Sequence, residues 1–258
     1  MSAALTLIMP AWNAEKYIER SVRSVLDQSW RDLRLLVVDD GSTDGTAAIL
    51  KRLAEADPRL TPMSVPNGGP GRARNLALDL LDEDTKYVMF IDADDVLLPD
   101  AAEKAVAAAE AGADLVLFGF SIMAVDGSRR DYCEPAQTLS RDELGGALGR
   151  LYKANLLNQI WAKLFRAEHI RAGHIRFPDY RWGEDRFFVF DNLERARRVA
   201  VLPDCLYRYI MHVSIIGKKP HNRVGSKKGN PCNSCHVYNV IFCGNKYRPF
   251  RALYLFRT

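Results

Sequence analysis

An α/β fold, with helices on both faces of a mostly parallel sheet, is what the sequence predicts, and three observations predict it. Over the first 120 residues short apolar runs alternate with helically spaced segments, the pattern of strand–helix–strand units. The run Tyr87-Val88-Met89-Phe90-Ile91 is apolar throughout, as a strand buried on both faces requires. It leads directly into Asp92, Asp94 and Asp95, three carboxylates at a strand end, where open α/β sheets bind their ligands.

The elements follow in order. Leu5–Met9 reads as a first strand, stopped by Pro10. Ala14–Gln28 carries Tyr17, Ile18, Val22, Val25 and Leu26 at helical spacing. Leu33–Val38 is the second strand. Ser42 or Thr43 caps a helix that holds Ile49, Leu50 and Leu53 and ends near Asp57-Pro58. Leu60–Val65 is a weaker strand, Gly71–Leu81 a helix and Tyr87–Ile91 the fourth strand. Pro99, suited to a first helical turn, opens an Ala-rich helix to Ala111, and Asp114–Ser121 is the fifth strand. The pattern then changes. Asp126-Gly127 marks a turn, Ser140 caps a helix to about Tyr152, and Asn158–Phe165 is apolar without a clear period. Helices are expected over Ala167–Ala172 and from Glu184 to Arg195, with short strands at Val199–Leu202 and Leu206–Met211.

The chain has 258 residues, 48% hydrophobic and 26% charged, ordinary for a soluble globular protein. No run approaches the roughly 18 apolar residues of a membrane span, and no secretory signal is read at the N-terminus. Five cysteines at scattered spacing are not a disulfide framework, so a reducing cytoplasm is expected. The net charge of +4 hides an asymmetry: residues 217–258 hold nine Lys or Arg and no acid, leaving 27 basic against 32 acidic side chains before them. A basic arm of this kind suits a membrane surface or nucleic acid, or marks a segment outside the fold. Within it Cys232-Asn233-Ser234-Cys235-His236 matches a haem-attachment pattern, but no export signal accompanies it and no second cysteine pair supports a zinc site.

Four strand ends carry the chemistry. After the first, Pro10-Ala11-Trp12-Asn13 offers an aromatic that either stacks on a base or caps the core. After the second, Asp39-Asp40-Gly41-Ser42 places a carboxylate where it can accept from a nucleoside; the same residues also make a turn and a helix cap. After the third, Asn67-Gly68-Gly69-Pro70-Gly71 leads into a helix start, which favours anions, and Arg74 could reach a diphosphate. After the fourth, the three acids repel one another unless a cation sits among them; the other reading is acids complementing a helix dipole. Further on, Gly183-Glu184-Asp185 opens a helix. Its carboxylates either complement that dipole or serve a reacting hydroxyl as general base.

Taken together, Pro10-x-Trp12-Asn13, Asp39-Asp40-Gly41-Ser42-x-Asp44, Gly71-x-Ala73-Arg74-Asn75, Asp92-x-Asp94-Asp95 and Glu184-Asp185 resemble, in order, the motifs of the family 2 inverting glycosyltransferases of bacterial cell-envelope polysaccharide synthesis. Asn158-x-x-Trp161-x-Lys163-Leu164-Phe165 and Tyr207-Arg208-Tyr209 resemble later segments of the family. The family often has Val-Tyr or Ser-Tyr where this chain has Ala11-Trp12. The resemblance implies a GT-A fold, a Rossmann-like three-layer sandwich over residues 1–216, with a nucleotide-sugar half (1–120) and an acceptor-side half (121–216). It stops near residue 216, and 217–258 is expected to be an atypical, truncated or frame-shifted basic tail. It further implies a nucleotide-sugar donor, a UDP-sugar first, a saccharide or lipid-linked saccharide acceptor, and no nucleic acid. Pro10, Trp12, Asn13, Asp40, Arg74 and Asp92 would bind the donor. Asp94 and Asp95 would bind Mn²⁺ or Mg²⁺; of the catalytic pair, Asp185 would be the base and Glu184 would hold the acceptor or the donor sugar. The location implied is the cytoplasm, with peripheral contact at the inner membrane face. Two alternatives stand beside this: a haloacid-dehalogenase-type phosphatase with Asp92 as nucleophile, and a donor-binding homologue that is inactive.

Overall fold

The structure, a computed structural model, describes residues 3–179 and 183–212. The basic tail, its cysteine motif and the boundary expected at residue 216 lie outside them.

Four strands, β1 (Leu5–Ala11), β2 (Leu33–Asp39), β3 (Leu60–Ser64) and β4 (Tyr87–Phe90), pair in parallel in the order β3-β2-β1-β4. Helices α1 (Ile18–Leu26), α2 (Thr46–Ala56) and α3 (Pro70–Asp79) connect them. The sheet continues through β9 (Lys163–Arg166), β6 (Leu115–Met123) and β10 (Arg198–Ile210) to the two-residue β5 (Val96–Leu97). Strand β9 is antiparallel to both β4 and β6, while β10 is parallel to β6. Thus β3, β2, β1, β4, β6 and β10 all run the same way, and the mostly parallel sheet expected from the sequence is present with one reversed strand near its middle. Helix α4 (Ala101–Glu110) packs on this second half, and β7 (Arg129–Tyr132) and β8 (Gln137–Ser140) add short antiparallel edges. Helices α5 (Arg141–Lys153), α6 (Ala167–Ala172) and α7 (Glu184–Arg195) complete the described chain. The core is the sheet itself: Leu5, Leu7, Ile8, Leu35, Val37, Val88, Phe90, Val116 and Phe118 are all buried.

Several boundaries move, each for a physical reason. Strand β1 runs past Pro10 to Ala11. Pro10 lies two residues after Ile8, on the side where pairing with β4 has already ended at Ile8–Phe90, so its missing N–H breaks no ladder bond. Helix α1 starts four residues late because Ala14 and Glu15 donate their N–H groups to Thr46 and Asp44 across the cleft. Neither Ser42 nor Thr43 caps α2, whose N-cap position is Gly45; both are bonded to Asn13 instead. Pro99 sits ahead of α4, with Asp100 at the cap position. The two short strands expected after residue 198 are one bent strand, irregular between Leu202 and Tyr207. Strands β5, β7, β8 and β9 have no periodic signal of their own. The expected turn at Asp126-Gly127 and the Ser140 cap, where Ser140 N–H meets Glu143 Oε2 at 2.8 Å, are both present.

The register decides where the functional residues emerge. Ala11 is level with Asp39, and Ile8 with Phe90. The motifs after β1, β2 and β4 therefore leave the sheet side by side at its carboxyl end.

Candidate active site

A cavity of about 540 Å³ opens there, lined by Pro10, Ala11, Trp12, Asn13, Asp40, Asn67, Arg74, Asp92 and Asp94 among others. A second cavity, about 370 Å³, lies against alanines of α4 and β10 and holds no acid.

On the β1–β2 side the polar groups are tied to backbone. Asp39 accepts from the Ser42 N–H and the Ser64 hydroxyl. Asp40, 4% exposed, accepts from the N–H of Gly68 at 2.8 Å and of Gly69 at 2.7 Å. These two amides, expected to face an anionic ligand, are thus occupied by Asp40 itself. Gly41 has φ +73°, and a Cβ on it would lie 2.8 Å from the Asn67 nitrogen, so only glycine lets the loops approach this closely. Asn13, at φ 48°, accepts from the Thr43 N–H and donates its own N–H to Ser42 Oγ. Trp12 is 59% exposed at the cavity rim, so the core-capping reading of this residue fails.

Across the cavity the arrangement is ionic. Arg74, buried on α3, donates Nη1 to Asp185 Oδ1 and Nη2 to Asp92 Oδ1, both at 2.9 Å. Its guanidinium lies over the Phe177 ring, and among the described residues its Nε has no hydrogen-bond partner. Arg74, expected to face a diphosphate or its ribose, joins two acids 93 residues apart in sequence. Burial opposes its charge, but Asp185 and Asp92 more than offset this and its pKa rises. For Asp185 burial dominates: with Asp92 and Glu184 nearby it raises the carboxyl above the ordinary range despite Arg74. The Ile160 N–H donates to Asp185 Oδ2 at 3.2 Å. Glu184 opens α7 beside α3: a Cβ on Gly71 would sit 3.8 Å from its Cγ.

The three acids after β4 separate into different surroundings. Asp92 faces the cavity. Asp94 also faces it, 42% exposed at its side chain, with His212 Nε2 3.3 Å from its Oδ2. Burial and Asp92 raise its pKa. Asp95 is fully buried; it accepts from the Tyr207 hydroxyl at 2.6 Å and the Ile210 N–H at 2.9 Å. The two-residue β5, paired with Tyr207 and Arg208, turns it inward. Expected beside Asp94 as a metal ligand, it has both oxygens committed to β10 and does not line the cavity. Burial, aided by Asp92, pushes it up to about 8. The Tyr207 hydroxyl in turn accepts the Asp92 N–H at 3.2 Å, so Asp95 orders the backbone that carries Asp92. Ile160 and Tyr207 lie within the segments that resemble later parts of the family, but the sequence assigned no site role to them or to His212.

Residues 6–171 match the family model described as Glycosyl transferase family 2. The chain belongs to that family. Family 2 membership displaces the phosphatase alternative for Asp92. TuaG of Bacillus subtilis, a glycosyltransferase named for teichuronic acid biosynthesis, is 30% identical over 80% of this chain and 78% of its own length. The glycosyltransferase EpsH of the same organism is 28% identical over 83% of this chain and 62% of its own. Among solved structures, S. aureus TarS residues 1–349 in complex with UDP-GlcNAc superposes with a TM-score of 0.68 at 26% identity, covering 83% of this chain and 60% of that one. The fold is therefore GT-A, and the chain spans about three fifths of the length of EpsH and of the TarS fragment. Among the described residues no helix is long and apolar enough to cross a membrane, Cys133 and Cys205 are free thiols, and no three side chains form a ready metal cluster.

Proposed function

We propose that this family 2 protein transfers a sugar from a nucleotide-sugar donor to an acceptor hydroxyl, with inversion and with a divalent cation. The observation that carries the reading is the Asp92–Arg74–Asp185 bridge at the wall of the cavity into which the nucleoside-side motifs open. Trp12 stands exposed for stacking on the base, and Pro10, Asn13 and Asp40 shape the pocket behind it. Asp92 meets the ribose. Arg74 holds Asp92 and Asp185 at one spacing, so donor and acceptor reach each other already aligned. Asp185, its pKa raised by burial, takes the proton from the attacking hydroxyl; a base nearer neutrality does so more effectively. Glu184 borders the acceptor or the transferred sugar. A single displacement inverts the anomeric centre and leaves no covalent glycosyl-enzyme.

The residues present fit a cation. Among the described residues His212 Nε2 is buried without a hydrogen-bond partner, 3.3 Å from the cavity-facing Asp94 Oδ2; the carboxylate oxygen suits Mn²⁺ or Mg²⁺, and an added imidazole nitrogen suits Mn²⁺ better than the oxygen-seeking Mg²⁺. Its chemistry there would be to offset the charge that grows on a departing diphosphate. Asp94 and His212 would hold it, while Asp95 positions the strand end.

The UDP-GlcNAc complex of TarS supports a UDP-sugar donor. The relative named for teichuronic acid biosynthesis supports a cell-envelope polymer as the product. A saccharide on a lipid carrier would place the enzyme at the inner membrane face, where the basic segment 217–258, outside a catalytic domain of residues 1–216, favours anionic lipid. The test is a panel of UDP- and GDP-sugars with and without Mn²⁺, read by thermal shift and by product anomeric configuration. Cation-dependent stabilisation by one donor, with inverted product, is the expected result. Donor binding without transfer to any saccharide acceptor, or retention of configuration, would overturn the proposal.

A further inference from the structure

Lys163 is a charge that the reaction just described leaves unused. It lies on β9, opposite Leu117 of β6, and is fully buried. Among the described residues no carboxylate is within ion-pair distance of it. Its ammonium donates instead to two backbone carbonyls, Gln159 at 2.6 Å and Trp161 at 3.2 Å. Burying an ammonium in this way is costly, and methionine would fill the same space without that cost.

What the two carbonyls belong to supplies the reason. Between them lies Ile160, whose N–H donates to Asp185 Oδ2. The Trp161 ring stacks on Tyr207, centroids 4.5 Å apart and planes within 3°, and Tyr207 links Asp95 to the Asp92 N–H. The turn ends at Ala162 with φ 57°, a left-handed conformation that an alanine does not adopt unaided. One short turn therefore meets the acid–arginine–acid bridge directly at Asp185 and, through Tyr207, at Asp92, and Lys163 is what closes it.

We infer that Lys163 is a positioning residue for the transfer: its ammonium draws the Gln159 and Trp161 carbonyls inward, aims the Ile160 amide at Asp185 and the Trp161 ring at Tyr207, and favours the anionic form of Asp185. The inference rests on Asp185 as the base. Burial pushes Lys163 down to about 7, and Asp185 pulls it back up; by reciprocity Lys163 stabilises the Asp185 anion. The other charged groups facing Asp185 are Arg74 on α3, Asp92 after β4 and Glu184 on α7.

The test compares the full chain with Lys163→Met and Lys163→Gln, following the Asp185 carboxyl by ¹³C titration, the Ile160 amide by hydrogen exchange, and kcat and donor KM across pH. In the methionine variant the Asp185 midpoint rises, Ile160 exchanges faster, and the acid limb of kcat moves to higher pH. There kcat falls at least roughly tenfold, as for a misaligned base, while donor KM stays within about threefold, since ground-state binding is untouched. Glutamine, which keeps N–H donors without charge, restores Ile160 protection but not the Asp185 midpoint. A folded methionine variant with unchanged Asp185 titration and kcat overturns the inference, as does an equal loss in kcat and donor binding. If the methionine variant does not fold, the wild-type titration decides: a second inflection of the Asp185 signal near the Lys163 value of about 7 supports coupling, and a single inflection refutes it. Absence of any transfer by the wild type would instead refute the proposed function, and the titration would still decide the role of Lys163.

Discussion

In the parallel half of the sheet, Asp39 and Asp40 are buried and their oxygens are met by N–H groups of Ser42, Gly68 and Gly69, by the Asn67 amide and by the Ser64 hydroxyl. At the seam with the reversed strand β9, Asp92 and Asp185 are met by one shared guanidinium. Both regions fix carboxylates, but by different physics. Backbone amides carry no titratable charge and belong to loops that follow adjacent strands, so the β1–β2 side is pre-formed locally. The seam depends on opposed charges brought from three distant segments. A change there disturbs geometry, protonation and stability together.

The largest test of this contrast is Asp185→Asn. Asparagine keeps an acceptor for the Ile160 N–H but cannot take a proton. Transfer should fall by roughly 10²–10⁴-fold, the usual worth of a general base, while equilibrium binding of the nucleoside diphosphate is retained. Wild-type activity should rise with pH along a limb lying above the ordinary carboxylate range. The sign is fixed by the raised folded-state pKa of Asp185. The folded protein holds this proton more tightly than the unfolded chain, so the associated stability is present at low pH and lost as pH rises through the folded value, while the active anion is gained over the same window. A limb at ordinary carboxylate pH in the wild type would break the assignment.

Next comes Arg74→Met. Removing one partner of a buried ion pair strands the others, and a loss of roughly 3–5 kcal/mol is expected by denaturant unfolding, together with loss of transfer. A variant as stable as the wild type would show that the seam is held by packing alone. Smaller again is Gly41→Ala on the β1–β2 side. Its left-handed backbone and the Asn67 nitrogen 2.8 Å from a Cβ predict about 1–2 kcal/mol of destabilisation and weaker donor binding, with the pH profile of kcat unchanged. The smallest effect on folding belongs to Trp12→Ala: an exposed side chain leaves the melting temperature in place. Donor affinity should drop by about 1–3 kcal/mol if the ring stacks on a base, which calorimetric titration would read directly.

The two regions also differ in how far they were legible. Pro10, Trp12, Asn13, Asp40 and Asp92 could be placed on strand ends because apolar runs of period two or less, broken by Gly, Pro and Asp, mark where a parallel strand stops. Asp94 and Asp95 could not be told apart that way. They are adjacent in sequence, and their opposite surroundings come from β5, two residues that pair only because β10 passes beside them. Helix α7 and its left-handed Gly183 were readable, yet nothing in Glu184-Asp185 says that Arg74 will lie between Asp185 and Asp92. Lys163 and Ile160 fall in a segment that resembles the family, Asn158-x-x-Trp161-x-Lys163-Leu164-Phe165, yet its spacing assigned neither a role at the site.

By itself the sequence determined the alternation of the first four strands with their helices, where those strands end to within a residue or two, and the acids that emerge there, since burial on both faces demands unbroken apolar runs and close turns demand particular residues. The tertiary structure alone decided that Asp92 and Asp185 share the Arg74 guanidinium, that Asp95 is buried under Tyr207 and that Lys163 closes the turn beside Asp185. Those choices depend on β9 entering the sheet in reverse between β4 and β6. Such pairing is set by contacts between segments far apart in the chain, and local periodicity carries no record of them.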